Sequence, residues 1–270
     1  MQIHRFYLSP QDFDFNQGPI SEGTEFTLPP TEARYGVLVL RLKKGSQIVL
    51  SCHLGSAKGL VIEATMTPKP ILKARLLAPF SLKVPQNAPI LALSLLRPGP
   101  FDWAVEKAVE LGCGNLVPLI AKRTRTQDLD ALGKDKKLAR WQKIMQSALK
   151  QSERDNLMEI SEPLPLEGFL SSLEPIKIDE PSILIGSKPL EAPRINPNPR
   201  LLLDPNGVPF PKELSGTPLL LVGPEGGFSQ EEKEDIKAKG FIGVSLGPFI
   251  LRSETCALAA LTASLLAQTP

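Results

Sequence analysis

The chain has 270 residues with 31 basic and 29 acidic side chains, a formal net charge of +2, and an ordinary apolar fraction of 42%. Such a length supports two domains, and a charge balance near zero neither demands nor excludes nucleic acid, because binding depends on where charge clusters. No apolar run reaches the roughly 18–20 residues of a membrane helix, and the start, MQIHRFYLSP, has no signal-peptide core.

Cys52, Cys113 and Cys256 are far apart and include no CxxC pair, which fits reduced thiols and a cytoplasmic setting. With His4 and His53 the only histidines, neither a His/Cys zinc site nor a Ser-His-Asp triad is expected, and no metal is called for.

Up to about residue 76 the pattern is of short strands. GVLVLRL, SQIVLSCHLG and GLVIEATM are separated by Lys-Lys-Gly and proline-rich breaks, and strands at this spacing suggest a small barrel. Pro68, Pro70, Pro79, Pro85 and Pro89 then interrupt any regular element, so the domain boundary falls in this region, drawn here between residues 76 and 77.

From about residue 88 the runs ILALSLL, NLVPLIA, SILIG, RLLLDP, PLLLVGP and IGVSLG are continuously apolar, as in strands buried on both faces of a parallel sheet. Helical patterns lie between several of them. FDWAVEKAVELG is expected to start at an Asp102 N-cap and stop at Gly112. Leu138, Trp141, Met145 and Ala148 form one stripe. Ser229 and Glu232 fit a capping box for a helix ended by Gly240. A last helix, from about Ser253 to Ala267, is apolar almost all round and is expected to be deeply buried. The second half therefore reads as an α/β domain of residues 77–270.

Open α/β sheets bind ligands at the carboxyl ends of their strands. Three loops occupy such positions: Asp204-Pro205-Asn206-Gly207, Gly223 to Gly227, and Leu246 to Arg252. Their glycines admit close backbone approach or positive φ, although each alone is also an ordinary turn. No GxGxxG or GxxxxGK[ST] loop is present.

The paired stretches LLVGPEGGFSQEE and LGPFILRSETCALAAL resemble the signature of the ribosomal RNA small subunit methyltransferase E family. VLRLKKG, KAVELGCGNLVPLIAKRT, WQKIMQSALKQSERDNLMEI and LLLDPNG match in order, so the resemblance spans nearly the whole chain. It implies an α/β SPOUT-type, trefoil-knotted parallel-sheet methyltransferase domain after an N-terminal PUA-like β-barrel RNA-binding domain. It further implies a homodimer using S-adenosylmethionine to methylate N3 of a uridine in 16S ribosomal RNA of the small subunit. Cofactor contacts would come from Leu203, Asp204, Leu221, Gly223, Pro224, Gly226, Gly227, Leu246, Gly247, Ile250, Leu251 and Thr255. Departures exist: Phe249 stands where the family shows Arg, Lys150 replaces a Glu although Gln151 and Arg154 remain, and Tyr35 replaces a His.

Alkylation at N3 requires positioning and removal of the imide proton. Glu225 and Glu254 are the carboxylates nearest the loops, and either could take it; both also have structural readings, Glu254 as a first-turn carboxylate. Arg252 could stabilise charge on a uracil oxygen, anchor a phosphate, or pair with one of those carboxylates. Cys256 reads as core packing, since N3 alkylation needs no thiol nucleophile. For RNA contact the basic residues are Arg5, Arg41, Lys43 and Lys44, then Lys122, Arg123, Arg125 and Arg154, with AKRTRT the strongest cluster. Two alternatives remain: ribose 2′-O methylation on the same fold, and a ribosome-assembly protein without chemistry.

Overall fold

The apolar runs of the second half assemble into one parallel sheet. The computed structural model describes residues 3–8, 12, 20–52, 55–66, 68–81, 87–125, 134–173 and 198–268. SILIG, at 182–186, lies outside them. The chain divides into two units, Met1–Val84 with Leu149–Leu157, and Pro85–Ala148 with Met158–Pro270.

In the second unit the strands are β6 (Ile90–Ser94), β7 (Asn115–Ile120), the two-residue β8 (Glu159–Ile160) and β9 (Leu164–Pro165), β10 (Arg200–Pro209), β11 (Leu219–Val222) and β12 (Ile242–Ser245). Their order is β12-β10-β11-β6-β7-β8, with β9 also on β7, and every pairing is parallel. Every residue of β6 and β11 is buried, which explains why these stretches carry no polar alternation.

Helices cover both faces. Leu166, Phe169 and Leu170 of α4 (Leu166–Ser172) and Ile236 of α5 (Gln230–Ala238) share a core with Ala92, Leu119, Leu202, Leu219 and Leu221. On the other side α6 (Ser253–Ala267) packs against α2 (Pro98–Glu110), β11 and β6. The remaining helix, α3 (Lys134–Ser152), buries Trp141, Met145, Ala148 and Leu149.

Local chemistry sets the helix ends, with one correction. α2 begins at Pro98 with Arg97 at the N-cap, not at Asp102; proline is pre-organised for a first turn, and Asp102 lies inside the helix, ion-paired with Arg140. Gly112 (φ +80°) ends it as expected. The α5 capping box is present in full: Glu232 N–H donates to Ser229 Oγ at 3.2 Å, and Ser229 N–H donates to Glu232 Oε2 at 2.7 Å. Such a cap contributes about 1 kcal/mol. α6 is not buried all round: Ala257, Ala260, Leu261 and Ser264 face inward while Leu265 and Leu266 are exposed.

In the first unit β1 (His4–Tyr7), β2 (Glu25–Thr27), β3 (Gln47–Cys52), β4 (Gly55–Thr65) and β5 (Ile71–Leu76) form a sheet of order β1-β3-β4-β5-β2. β1 pairs parallel with β3, the rest antiparallel, and β1 and β2 end the sheet without closing it into a barrel. GVLVLRL is not a strand. It continues α1 (Pro30–Arg34) as a wider helical turn over Tyr35–Val39. Ala33 and Val37 thereby enter a core with Phe6, Leu50 and Leu72, and Gly36 lies so close to Leu72 that an added Cβ would come within 2.5 Å of its Cδ2. Burial of one face has overridden an alternation that imitates a strand.

Candidate active site

The carboxyl ends of β10, β11, β12 and β6 open onto a cleft of about 600 Å³, within the range of small-molecule sites. β11 separates β6 from β10, so chain connections diverge to either side here, the place where open parallel sheets leave a crevice.

All three glycine-containing loops reach the cleft. Leu203 and Asp204 line it from the first, Gly223, Pro224, Glu225 and Gly227 from the second, and Leu246, Ile250 and Leu251 from the third, with Arg252 and Glu254 beside them. Leu221, Gly226, Gly247 and Thr255 are not in its lining. Leu221 is wholly buried in the core beneath β11, and the Gly226 carbonyl faces Arg123, whose Nη1 donates to it at 2.8 Å.

The first loop arises from a break in the ladder. Leu203 and Val208 both pair with Val244, so the four residues between are extruded as a bulge. Asp204 clamps it: Oδ1 accepts from Asn206 N–H at 2.9 Å and Oδ2 from Lys233 Nζ of α5 at 2.7 Å. Burial pushes this carboxyl up, but the Lys233 hydrogen bond, the Asn206 N–H and the Lys233 charge together hold it below its ordinary value. Gly207 has no room for a side chain, because a Cβ there would overlap the Gly243–Val244 backbone.

The second loop turns at Gly227 (φ +65°), whose N–H donates to Pro224 O at 2.8 Å. Gly227 lines the cleft, and a Cβ on it would meet no atom within 4 Å. In the third, the Ser245 hydroxyl donates to Gly247 O at 3.0 Å and accepts its N–H at 3.3 Å. Phe249 and Ile250 are 80% and 86% exposed at the mouth. Glu254 occupies the first turn of α6, where the helix dipole favours a carboxylate. Arg252 makes no ion pair among the described residues.

Cys256 lines the cleft wall rather than the core, and burial pushes its thiol up to about 11. A thiol held protonated is no nucleophile at neutral pH. Sequence reasoning also missed Arg97, Phe228, Lys233 and Ser245, which line the cleft. Arg97 follows the carboxyl end of β6, so the rule that located the other loops would have reached it; Lys233 carries no such signal.

The basic residues separate into groups. Lys122 and Arg123 are exposed, on the turn after β7, with Arg125 exposed in the cleft lining. Arg41, Lys43 and Lys44 are exposed around one turn of the first unit. Arg5 points inward: Nη1 donates to Ser51 Oγ and to Arg154 O, both at 2.8 Å. Arg154 Nη2 faces Asn156 Oδ1 at 3.5 Å, and Lys150 pairs with Glu32 at 2.7 Å. Among the described residues no cluster of His, Cys, Asp and Glu could hold a metal, and no helix is long and apolar enough to cross a membrane.

Residues 84–265, most of the chain, match the model of the RNA methyltransferase domain family. The chain is 31% identical over 180 residues to ribosomal RNA small subunit methyltransferase E of Mesomycoplasma hyopneumoniae, covering 66% of this chain and 69% of that protein. It belongs to this family. With the Bacillus subtilis member the identity is 28%, over 90% of this chain and 91% of the relative. Among solved structures, the Neisseria gonorrhoeae member bound to S-adenosyl methionine superposes with a TM-score of 0.73 at 25% identity, covering 97% of this chain and 96% of that one. A Legionella pneumophila protein in complex with the same cofactor gives 0.75 at 23%, with 99% of both chains covered, and shows the shared fold.

Proposed function

We propose that the protein methylates N3 of a uridine in 16S ribosomal RNA of the small subunit, using S-adenosylmethionine held in the cleft of the second unit. The observation that carries this reading is the convergence of the three loops, with Glu225, Glu254 and Arg252, on one cleft of a family member. The cleft suits such a cofactor. Leu246, Ile250 and Leu251 offer apolar surface, Glu225 and Glu254 offer negative charge toward a cation, and Gly227 leaves space that a Cβ would fill. When bound, the cofactor supplies an electrophilic methyl group.

The residues of the chain do the remainder. Glu225 and Glu254 are the groups available to receive the imide proton, directly or through water. Arg252, with no carboxylate partner of its own among the described residues, is available to the uracil oxygen or a flanking phosphate. The target base must be unstacked to enter, and Arg97 and Arg125 are the further cations of the lining available to its backbone. The reading includes a trefoil knot formed by the loops at 223–227 and 246–252, a PUA-like role for the first unit, a homodimer, and a cytoplasmic location; β11 lying between β6 and β10 is consistent with a threaded segment.

The test is methyl transfer from labelled S-adenosylmethionine to small ribosomal subunits lacking the modification, followed by nucleoside digestion. Labelled 3-methyluridine is the expected product. Label on ribose would replace the reaction with 2′-O transfer, and absence of both label and cofactor binding would leave an assembly protein.

A further inference from the structure

We infer that Arg123 is a positioning residue of the cofactor cleft rather than an RNA contact, an inference that rests on the methyltransferase reading. The turn Ala121 to Arg125 is fastened to the glycine loop and the start of α5. The Arg123 guanidinium donates to Gly226 O at 2.8 Å. Its aliphatic stem lies over the same glycine, where a Cβ would sit 3.4 Å from Arg123 Cβ and 3.5 Å from Cδ.

One residue earlier, Lys122 N–H donates to Glu232 Oε1 at 2.7 Å. Glu232 is only 6% exposed, and its other oxygen accepts the Ser229 N–H of the capping box. One buried carboxylate thus joins two loops. The turn itself is stiff: Thr124, 7% exposed, accepts Ala121 N–H on Oγ1 at 2.9 Å and returns its own N–H to Ala121 O at 3.0 Å. Lys122 Nζ adds an exposed contact to Glu231.

These bonds give Arg123 a definite task. Of the three glycines in the Gly223–Gly227 loop, Gly227 has open space around it and Gly226 is covered by the Arg123 stem, and the loop's inner surface forms the cleft wall through Gly223, Pro224, Glu225 and Gly227. A charge-assisted bond to the Gly226 carbonyl fixes the orientation of the following peptide, and with it the Gly227 backbone facing the cofactor. A guanidinium held this way has one edge committed to protein.

The experiment compares wild type, Arg123→Ala and Arg123→Lys by calorimetric titration with S-adenosylmethionine and by filter binding of a uridine-rich RNA oligonucleotide over a range of salt. The expected result for Arg123→Ala is cofactor affinity weakened about tenfold, partly restored in Arg123→Lys. KM for the cofactor should rise while kcat at saturation is kept, and the salt slope of RNA binding and the ligand-free melting temperature should stay unchanged. Unaltered cofactor affinity in Arg123→Ala, with the salt slope reduced by about one, would overturn the inference and make Arg123 a phosphate contact. A wild-type protein that binds no cofactor would overturn the methyltransferase reading as well, so the two failures are distinguishable.

Discussion

A methyl group added at Gly207 has nowhere to go. The atoms it meets are main chain of Gly243 and Val244 in the neighbouring strand, which cannot rotate aside as a side chain can. Gly207→Ala is therefore expected to lower unfolding free energy by about 3 kcal/mol, read as a lower urea midpoint at unchanged slope; a wild-type midpoint would mean the two strands part easily. Cys256 gives a second test at this scale. With its thiol pushed up to about 11, alkylation by iodoacetamide should rise roughly tenfold per pH unit from pH 8 upward, while the buried Cys52 and Cys113 stay unlabelled. Saturating S-adenosylmethionine should protect Cys256, because it lines the cleft. A pH-independent rate would show a thiolate already present.

Between elements, the decisive link is Lys233 of α5 to Asp204 of the β10 bulge. A carboxyl whose folded value is depressed contributes stability above its unfolded value and loses it as pH falls through the folded one. The ordinary value here is 3.8, so this joint weakens only below about pH 4. In Lys233→Met burial raises the Asp204 carboxyl without the opposing pull of its cationic partner, so stability at neutral pH should fall while the further loss on acidification through about pH 4 shrinks or reverses. An acid limb identical to wild type would show that the lysine is solvated and idle. Elements also mark what could be read in advance. SQEEKEDIKAKG declared both its ends, because a Ser-Glu box and a glycine at positive φ act within one turn. The start of α2 was hidden by a second cap candidate: Asp102 has the right chemistry, but Pro98 and Pro100 fix the backbone earlier. GVLVLRL deceived because its alternating Val and Leu imitate a strand, and only the distant Phe6 and Leu72 select the helical form. β1 and β2 are sheet-edge strands of four and three residues, too short for any periodic signal.

For the whole molecule, the parallel sheet and the cleft above it were legible because continuous apolar runs and glycine loops both sit in the local sequence. The inward turn of Arg5, by contrast, depends on Ser51 and on the Arg154 carbonyl, about 150 residues away in sequence, and no local pattern carries that. The outer side of α6 has a consequence at this scale. Leu266 is 82% exposed, Leu265 37%, and Trp103 of the adjoining α2 44%. The proposed homodimer supplies a cover for this face. Leu266→Glu should then convert the sedimenting species from dimer to monomer with its secondary structure intact; a dimer that persists would place the interface elsewhere.

The ladder break in β10 has a dynamic side. Between Leu203 and Val208 the main chain leaves the sheet while strand residues on either side remain paired. Amide protons inside the bulge consequently exchange with solvent through small local openings, whereas those of Leu201 and Leu202 need the sheet itself to open. A hydrogen-exchange experiment should find a fast-exchanging island at 204–207 inside an otherwise slow strand. If the cofactor docks against Asp204, the island disappears on its addition, and the difference between the two traces measures how much of the site is organised only when it is filled.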